Sequence, residues 1–248
     1  MNAGLRRGVK VALVLLLAWQ GAIWLFDPPR YVLPGPWDVG AAFLRQPLFF
    51  ARHSLTTATE ILLGFVLGAG AGAGVALLMA AFPRLGRNLW PLLLVMQALP
   101  VFVIAPLLVV WFGFGMGSKV IMAMIIIFFP VASAFGDGLR RTDPALIDAT
   151  AMTQATHWQS LIHVRVPLAL PGLLSGLRVA APLAPLGAVV GEWVGASAGL
   201  GFVMVQANAR MQTATVFVAM AILAVFSLLM RHIVDRLAPR LIPWASNQ

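Results

Sequence analysis

The run Arg140-Arg141-Thr142-Asp143-Pro144-Ala145-Leu146-Ile147-Asp148-Ala149-Thr150, continuing to Val164-Arg165-Val166-Pro167, is the one sustained polar interruption of this chain. Strongly apolar segments flank it on both sides, which places 140–167 outside a bilayer. Its residues nonetheless read as helix. Asp143 is a good N-cap, because its carboxylate can accept a backbone N–H of the first turn, and Pro144 falls at the first helical position, where a missing N–H costs nothing. Leu146, Ala149, Ala155 and Trp158, with Leu161 and Ile162, add a broken helical periodicity of apolar residues. An ordered amphipathic hairpin at a membrane surface is therefore predicted, and its shape suits docking.

Working outward, 60% of the 248 residues are hydrophobic and only 10% are charged. So few charges cannot cover a soluble domain, so the sequence is that of an integral membrane protein. Without cysteine it can form neither disulfides nor thiolate metal sites of its own. A net charge of +9 could suggest nucleic acid. Basic residues that collect on the cytoplasmic side of a membrane protein explain it better, and no nucleic-acid partner is expected.

A spanning helix needs roughly 20 apolar residues. Six candidates occur, at about 9–26, 56–82, 88–112, 119–138, 168–194 and 213–235. The first follows Arg6, Arg7 and Lys10 like a signal peptide, but Asp27-Pro28-Pro29 closes it without a small-residue cleavage site, so an uncleaved anchor is expected. With the N-terminus inside, the inner loops hold Arg6, Arg7, Lys10, Arg84, Arg87, Arg140, Arg141, Arg165, Arg231, Arg236 and Arg240. The outer ones hold Arg30, Arg45, Arg52, Lys119 and Arg210. This asymmetry predicts both termini and the 140–167 hairpin in the cytoplasm.

The longest external segment, 27–55, is rich in proline and aromatics and predicts a short interfacial helix before the second span. Gly64, Gly68, Gly70, Gly72 and Gly74 include the four-residue spacing that lets helix backbones approach closely. Pro91, Pro100 and Pro106 in the third span, and Pro182 and Pro185 in the fifth, remove backbone hydrogen bonds, so those helices should face protein or a cavity. Neither an internal repeat nor a soluble appendage is evident, and residues 1–248 read as one transmembrane domain.

Chemistry is sparse. Gly113-Phe114-Gly115-Met116-Gly117-Ser118-Lys119 fails the order of a P-loop, since Ser precedes Lys and no strand leads in. His157 and His163, six apart, do not share a helix face as a zinc pair would. No catalytic set converges, so the chain itself is not expected to be an enzyme or to bind metal. Of the ionisable residues in or near spans, Glu60 lies about a turn inside the outer end and is expected to snorkel to water. Arg178 is expected near the cytoplasmic face, reaching lipid phosphates or helix ends. Glu192, before a Gly/Ser-rich external turn, is the candidate for a substrate or gating role.

At 137–167 the chain resembles the conserved cytoplasmic loop of bacterial ABC-importer permeases. The family pattern is Glu-Ala-Ala, three residues, Gly, nine residues, then Ile-x-Leu-Pro. Asp148-Ala149-Thr150 and Val164-Arg165-Val166-Pro167 match at that spacing, with Gln154 where the family has the Gly that turns the hairpin. Leu99-Pro100, Ala105-Pro106 through Gly113, Phe128-Phe129-Pro130 and Leu170-Pro171-Gly172 through Arg178 are similar to the nitrate/sulfonate/taurine branch. The segments from Gly191-Glu192-Trp193 to Ser197, Gly199-Leu200-Gly201, and Ala207-Asn208-Ala209-Arg210 to Thr213 resemble permeases for thiamine pyrimidine precursors within it.

The resemblance implies an all-α permease with six transmembrane helices and a coupling hairpin between spans 4 and 5. It would sit in a bacterial inner membrane and import a small polar organic solute, a thiamine pyrimidine precursor or otherwise an aliphatic sulfonate, taurine or nitrate. It implies a second copy of the chain, a periplasmic or lipid-anchored solute-binding protein, and cytoplasmic subunits that bind the ATP and Mg. Asp148 and Ala149 match the motif core, and Asp143, Ala155, His157, Trp158 and Gln159 complete the expected ATPase-docking surface. Glu192, Trp193 and Asn208 are the expected pathway residues. The rival from another class is a secondary transporter driven by an ion gradient, which would favour buried carboxylates in broken helices and repeat symmetry. A membrane-bound enzyme comes third, weakened by the missing catalytic set.

Overall fold

The computed structural model describes residues 3–98 and 100–245, which are helical with no strand among them. The helices are α1 (Ala3–Phe26), α2 (Pro36–Arg45), α3 (Pro47–Ala81), α4 (Pro83–Ala98), α5 (Val101–Phe112), α6 (Met116–Arg140), α7 (Pro144–Met152), α8 (His157–Ser160), α9 (Val166–Trp193), α10 (Leu200–Ala209) and α11 (Thr213–Leu241). Prolines start several of them: Pro36, Pro47 and Pro144 occupy the first turn of α2, α3 and α7, where no N–H is needed. The predicted interfacial helix is α2, and its N-terminus is held by Asp38, whose Oδ2 accepts the Gly35 N–H at 3.2 Å.

By length and composition, four runs can cross a membrane: α3, α6, α11 and His157–Trp193, in which α8 passes into α9 through a π turn at Leu161–Arg165. In that turn the Val166 N–H donates to the Leu161 carbonyl, and Pro167 follows as the residue whose missing N–H and ring disturb a regular ladder. The predicted third span, with its three prolines, is not a single rod. It is α4 and α5, turned by 97° across their break. Pro100 precedes α5 and cannot continue the helix before it; Leu99, quoted in the sequence motif, lies outside the described residues. The apolar part of α1, Lys10–Phe26, is shorter than the four spanning runs. Its Trp19 ring stacks on Phe217 of α11 at 5.3 Å.

Small residues decide which helices touch. Lipid tails give apolar helices no reason to prefer one another, so close approach and dispersion do the selecting. On α3, Gly64, Gly68 and Gly72 lie against α6: a Cβ at Gly68 would come within 2.8 Å of the Met124 carbonyl, and one at Gly72 within 2.6 Å of that of Phe128. Gly70 and Gly74, though also four apart, have open space, so of the α3 glycines only Gly64, Gly68 and Gly72 form an interface. On α9, Gly172, Gly176, Gly187 and Gly191 meet α6 in the same way, against the backbone of Ala134, Pro130, Ala123 and Lys119. Helix α6 is thus clasped between α3 and α9, with Ala123, Ile127 and Val131 fully buried. Arg178 does not reach for lipid: its Nε donates to Asp235 of α11 at 2.9 Å, and Arg231 joins the same carboxylate at 2.8 Å.

Candidate functional site

The hairpin is built as its sequence suggests. Asp143 caps α7, its Oδ1 accepting the Ala145 N–H at 2.9 Å. The other arm opens on a capping box in which the Thr156 hydroxyl accepts the Gln159 N–H and the Gln159 side chain accepts the Thr156 N–H at 2.8 Å. Between the arms α7 ends in a Schellman turn, with the Gln154 N–H on the Ala151 carbonyl at 3.0 Å and the Ala155 N–H on that of Thr150 at 3.2 Å. Such a turn needs one left-handed residue, and Gln154 takes that position at φ +60°. Gln154 thus holds, with a side chain, a backbone position that glycine takes at lower cost.

The seven expected docking residues divide. Asp143, Asp148 and Ala149 are exposed on α7, and Ala155 is half-buried in the turn. His157, Trp158 and Gln159 are exposed too, but each also makes a contact within the chain. The His157 ring nitrogen Nε2 lies 3.1 Å from the Ala81 carbonyl, Trp158 meets the Phe82 ring edge-on at 5.8 Å, and Gln159 caps its own helix. The second arm is thus fastened to the end of α3, and Thr150 and Ser160 join the arms through a 3.1 Å hydroxyl contact. Exposed Leu146, Ile147 and Met152, the last 89% accessible, give α7 an apolar surface beside Asp148. Sequence reasoning read Leu146 as part of the hairpin's own pattern and left Met152 aside; its place at the tip of α7 was the available signal.

At the other end of α3 lies a buried polar knot. Glu60, Glu192, Lys119 and Thr57 come from α3, α9 and α6, and each is at most 3% exposed. The Thr57 hydroxyl donates to Glu192 Oε1 at 2.6 Å and accepts the Leu200 N–H at 2.8 Å. The Gly201 N–H donates to Glu192 Oε2, and the Gly199 N–H donates to His53 Nδ1 at 3.0 Å. Together these groups satisfy the open N-terminus of α10. Lys119 Nζ donates to the carbonyls of Phe114 and Gly195, closing the loops on either side. Glu60 therefore does not snorkel. It faces the Glu192 carboxyl with its Oε2 unpartnered, since α6 and α9 close over the position.

Of the three expected pathway residues, only Glu192 is in this knot. Trp193, next in sequence, is 52% exposed, and Asn208 is exposed near the far end of α10. Glycines make the knot possible: Gly199 has φ +107°, and a Cβ there or at Gly201 would collide with the Glu192 carboxylate. Thr57, at the edge of the predicted second span, and His53, in the external segment before it, were not paired with the knot because a lone Thr or His carries no sequence signal of its partner.

The described residues thus form a bundle of apolar helices with an ordered polar hairpin at one end and a buried polar knot at the other. The chain belongs to the family described as binding-protein-dependent transport system inner membrane component, whose pattern matches residues 64–243. A probable ABC transporter permease protein of Haemophilus influenzae is 43% identical, covering 98% of this chain and 99% of its own length. The riboflavin transport system permease protein of Chloroflexus aurantiacus is 36% identical (97% and 91% covered), and the formylaminopyrimidine transport permease protein of Halalkalibacterium halodurans 34% (95% and 94%). Permeases named for aliphatic sulfonates and taurine match at 31% and 30%, so the resemblance to that branch holds. Among solved structures, an inward-facing methionine ABC transporter chain superposes with a TM-score of 0.66 at 19% identity, covering 79% of this chain and 98% of its own. This last likeness concerns the fold.

Proposed function

We propose that the chain is the membrane-spanning half of an ATP-driven importer, working as a homodimer with six spans per copy and the 140–167 hairpin on the cytoplasmic side. The permease class follows from the family; the rest is our reading. The observation that carries it is the hairpin itself, an ordered element with an exposed Asp148-Ala149 face whose second arm is fastened to α3 by His157 and Trp158. Face and fastening together would turn closure of a nucleotide-binding partner into movement of a spanning helix. The partner supplies ATP and Mg, and a solute-binding protein delivers the solute from outside.

For the solute we favour a neutral or zwitterionic heterocycle of the thiamine-pyrimidine-precursor type, on the 191–213 motifs and the formylaminopyrimidine relative. The riboflavin relative also supports a nitrogen heterocycle, whereas a sulfonate is the alternative. Trp193 and Asn208, exposed and uncharged, suit such a solute better than buried Glu192 does. The buried pair Glu60 and Glu192 and the break between α4 and α5 are features a proton-driven carrier would share. The carboxylates lie on α3 and α9 rather than at that break, however, and Glu192 is already engaged by Thr57 and a helix terminus.

The test is co-purification with the nearest-encoded ATP-binding subunit, followed by uptake in proteoliposomes. A two-plus-two complex whose uptake vanadate abolishes is expected. Uptake that ignores vanadate and collapses with the proton gradient would instead establish the carrier. Within the complex, Asp148→Arg should insert normally yet uncouple hydrolysis from uptake; unimpaired uptake would remove the hairpin from the mechanism.

A further inference from the structure

Three guanidiniums from three elements line one cavity at the hairpin end of the bundle. The cavity, about 550 Å³, lies between α4 and α6, and takes Arg87 from α4, Arg140 from the end of α6 and Arg165 from the π turn before α9. Its remaining wall is largely apolar, with Met79, Trp90 and Leu139 among the lining. Arg140 stacks over Trp90 at 4.0 Å and pairs with Asp137. Arg165 donates through Nη2 to the Leu139 carbonyl at 3.0 Å, while its buried Nε–H has no acceptor. Arg87 forms no ion pair among the described residues. The preference of basic residues for the cytoplasmic side explains their presence at this end. It does not explain their gathering around one partly apolar cavity with a donor left over.

We propose that this cavity holds the phosphate headgroup of an anionic phospholipid from the adjoining leaflet. All three arginines sit near ends of apolar helices, the depth at which lipid phosphates lie. Guanidinium groups pair with phosphate oxygens through parallel N–H donors. A free phosphate would satisfy those donors but leave the exposed rings of Pro83 and Pro91 and the half-buried Trp90 uncovered, whereas a lipid's glycerol and upper acyl chain would cover them. Arg140 and Arg165 lie in the two stems of the 140–167 hairpin, so one bound lipid would tie both stems to α4. That the lipid thereby tunes ATPase coupling rests on the permease reading; that it binds does not.

The measurement is native mass spectrometry of the full chain, purified alone and exchanged into mixed phosphatidylglycerol and phosphatidylcholine. The parent should retain phosphatidylglycerol preferentially, and Arg87→Gln with Arg165→Gln should lower that retention about tenfold. Arg87→Gln alone, which disturbs no internal hydrogen bond, should show part of the loss if the double variant folds poorly. Arg30→Gln with Arg45→Gln, at the opposite end of the bundle, should retain the lipid as the parent does. Unchanged retention in both Arg87 variants, or equal loss in the opposite-end variant, would overturn the site. Complete displacement of the lipid by inorganic phosphate would make it a small-anion site, and loss of lipid on assembly with the ATP-binding subunit would make the arginines that subunit's contact; either overturns the assignment. Because the chain is measured alone, failure to couple to an ATPase leaves the result readable.

Discussion

At Gln154 a side chain occupies a backbone position that glycine holds at lower cost. A non-glycine residue in the left-handed region gives up about 1 kcal/mol relative to glycine. Gln154→Gly should therefore leave the Schellman turn intact and stabilise the hairpin by up to about 1 kcal/mol; limited proteolysis between the arms should slow, and faster cleavage would mean that the Gln side chain itself braces the turn. Thr57 makes a sharper case, because one buried hydroxyl serves both the Glu192 carboxylate and the Leu200 N–H. Thr57→Val keeps the shape but orphans both partners, and should cost about 1–3 kcal/mol in thermal unfolding. The position of Asp143 as a cap could be read from its neighbours along the chain. The burial of Glu60 and Lys119 could not, because sequence gives a residue's distance from a span end and not what packs over it.

At the level of the helix, backbone contact is set by what is absent from the side chain. Gly68 of α3 has the Met124 carbonyl where its Cβ would be, while Gly70, half a turn away, faces open space. Gly68→Ile should push α3 off α6 and cost about 3 kcal/mol or more, beyond ordinary overpacking, because the obstructing atom belongs to a backbone. Gly70→Ile should be near neutral or slightly stabilising in the same melting measurement. A similar loss in both variants would mean that glycine in α3 serves helix flexibility rather than contact. The α3 series was legible as a four-residue repeat. Its partner was less so: the α9 glycines form two four-residue pairs, Gly172 with Gly176 and Gly187 with Gly191, parted by a stretch holding Pro182 and Pro185 that obscures the period. A kink between α4 and α5 was legible from Pro100, but its 97° was not, because hydropathy runs through Pro100 without a break.

Across the whole molecule, α3 is the rod that joins the two polar ends. Thr57 sits in the knot that holds α10, and Ala81 and Phe82 carry His157 and Trp158 of the hairpin, about 36 Å away at 1.5 Å per residue. If the hairpin receives the stroke of an ATP-binding subunit, the ring contact at Phe82 is where that stroke enters the spanning helix. Trp158→Ala should then remove about 1 kcal/mol of aromatic contact without touching the exposed α7 face that we propose as the docking surface. The assembled complex should form and hydrolyse ATP at the parental rate, while uptake per ATP falls several-fold. Adding His157→Ala should deepen the loss, since it removes the remaining polar tie to the Ala81 carbonyl. Loss of ATPase association in Trp158→Ala would move Trp158 into the docking surface itself, and unchanged uptake in the double variant would mean that α3 is not the helix that moves.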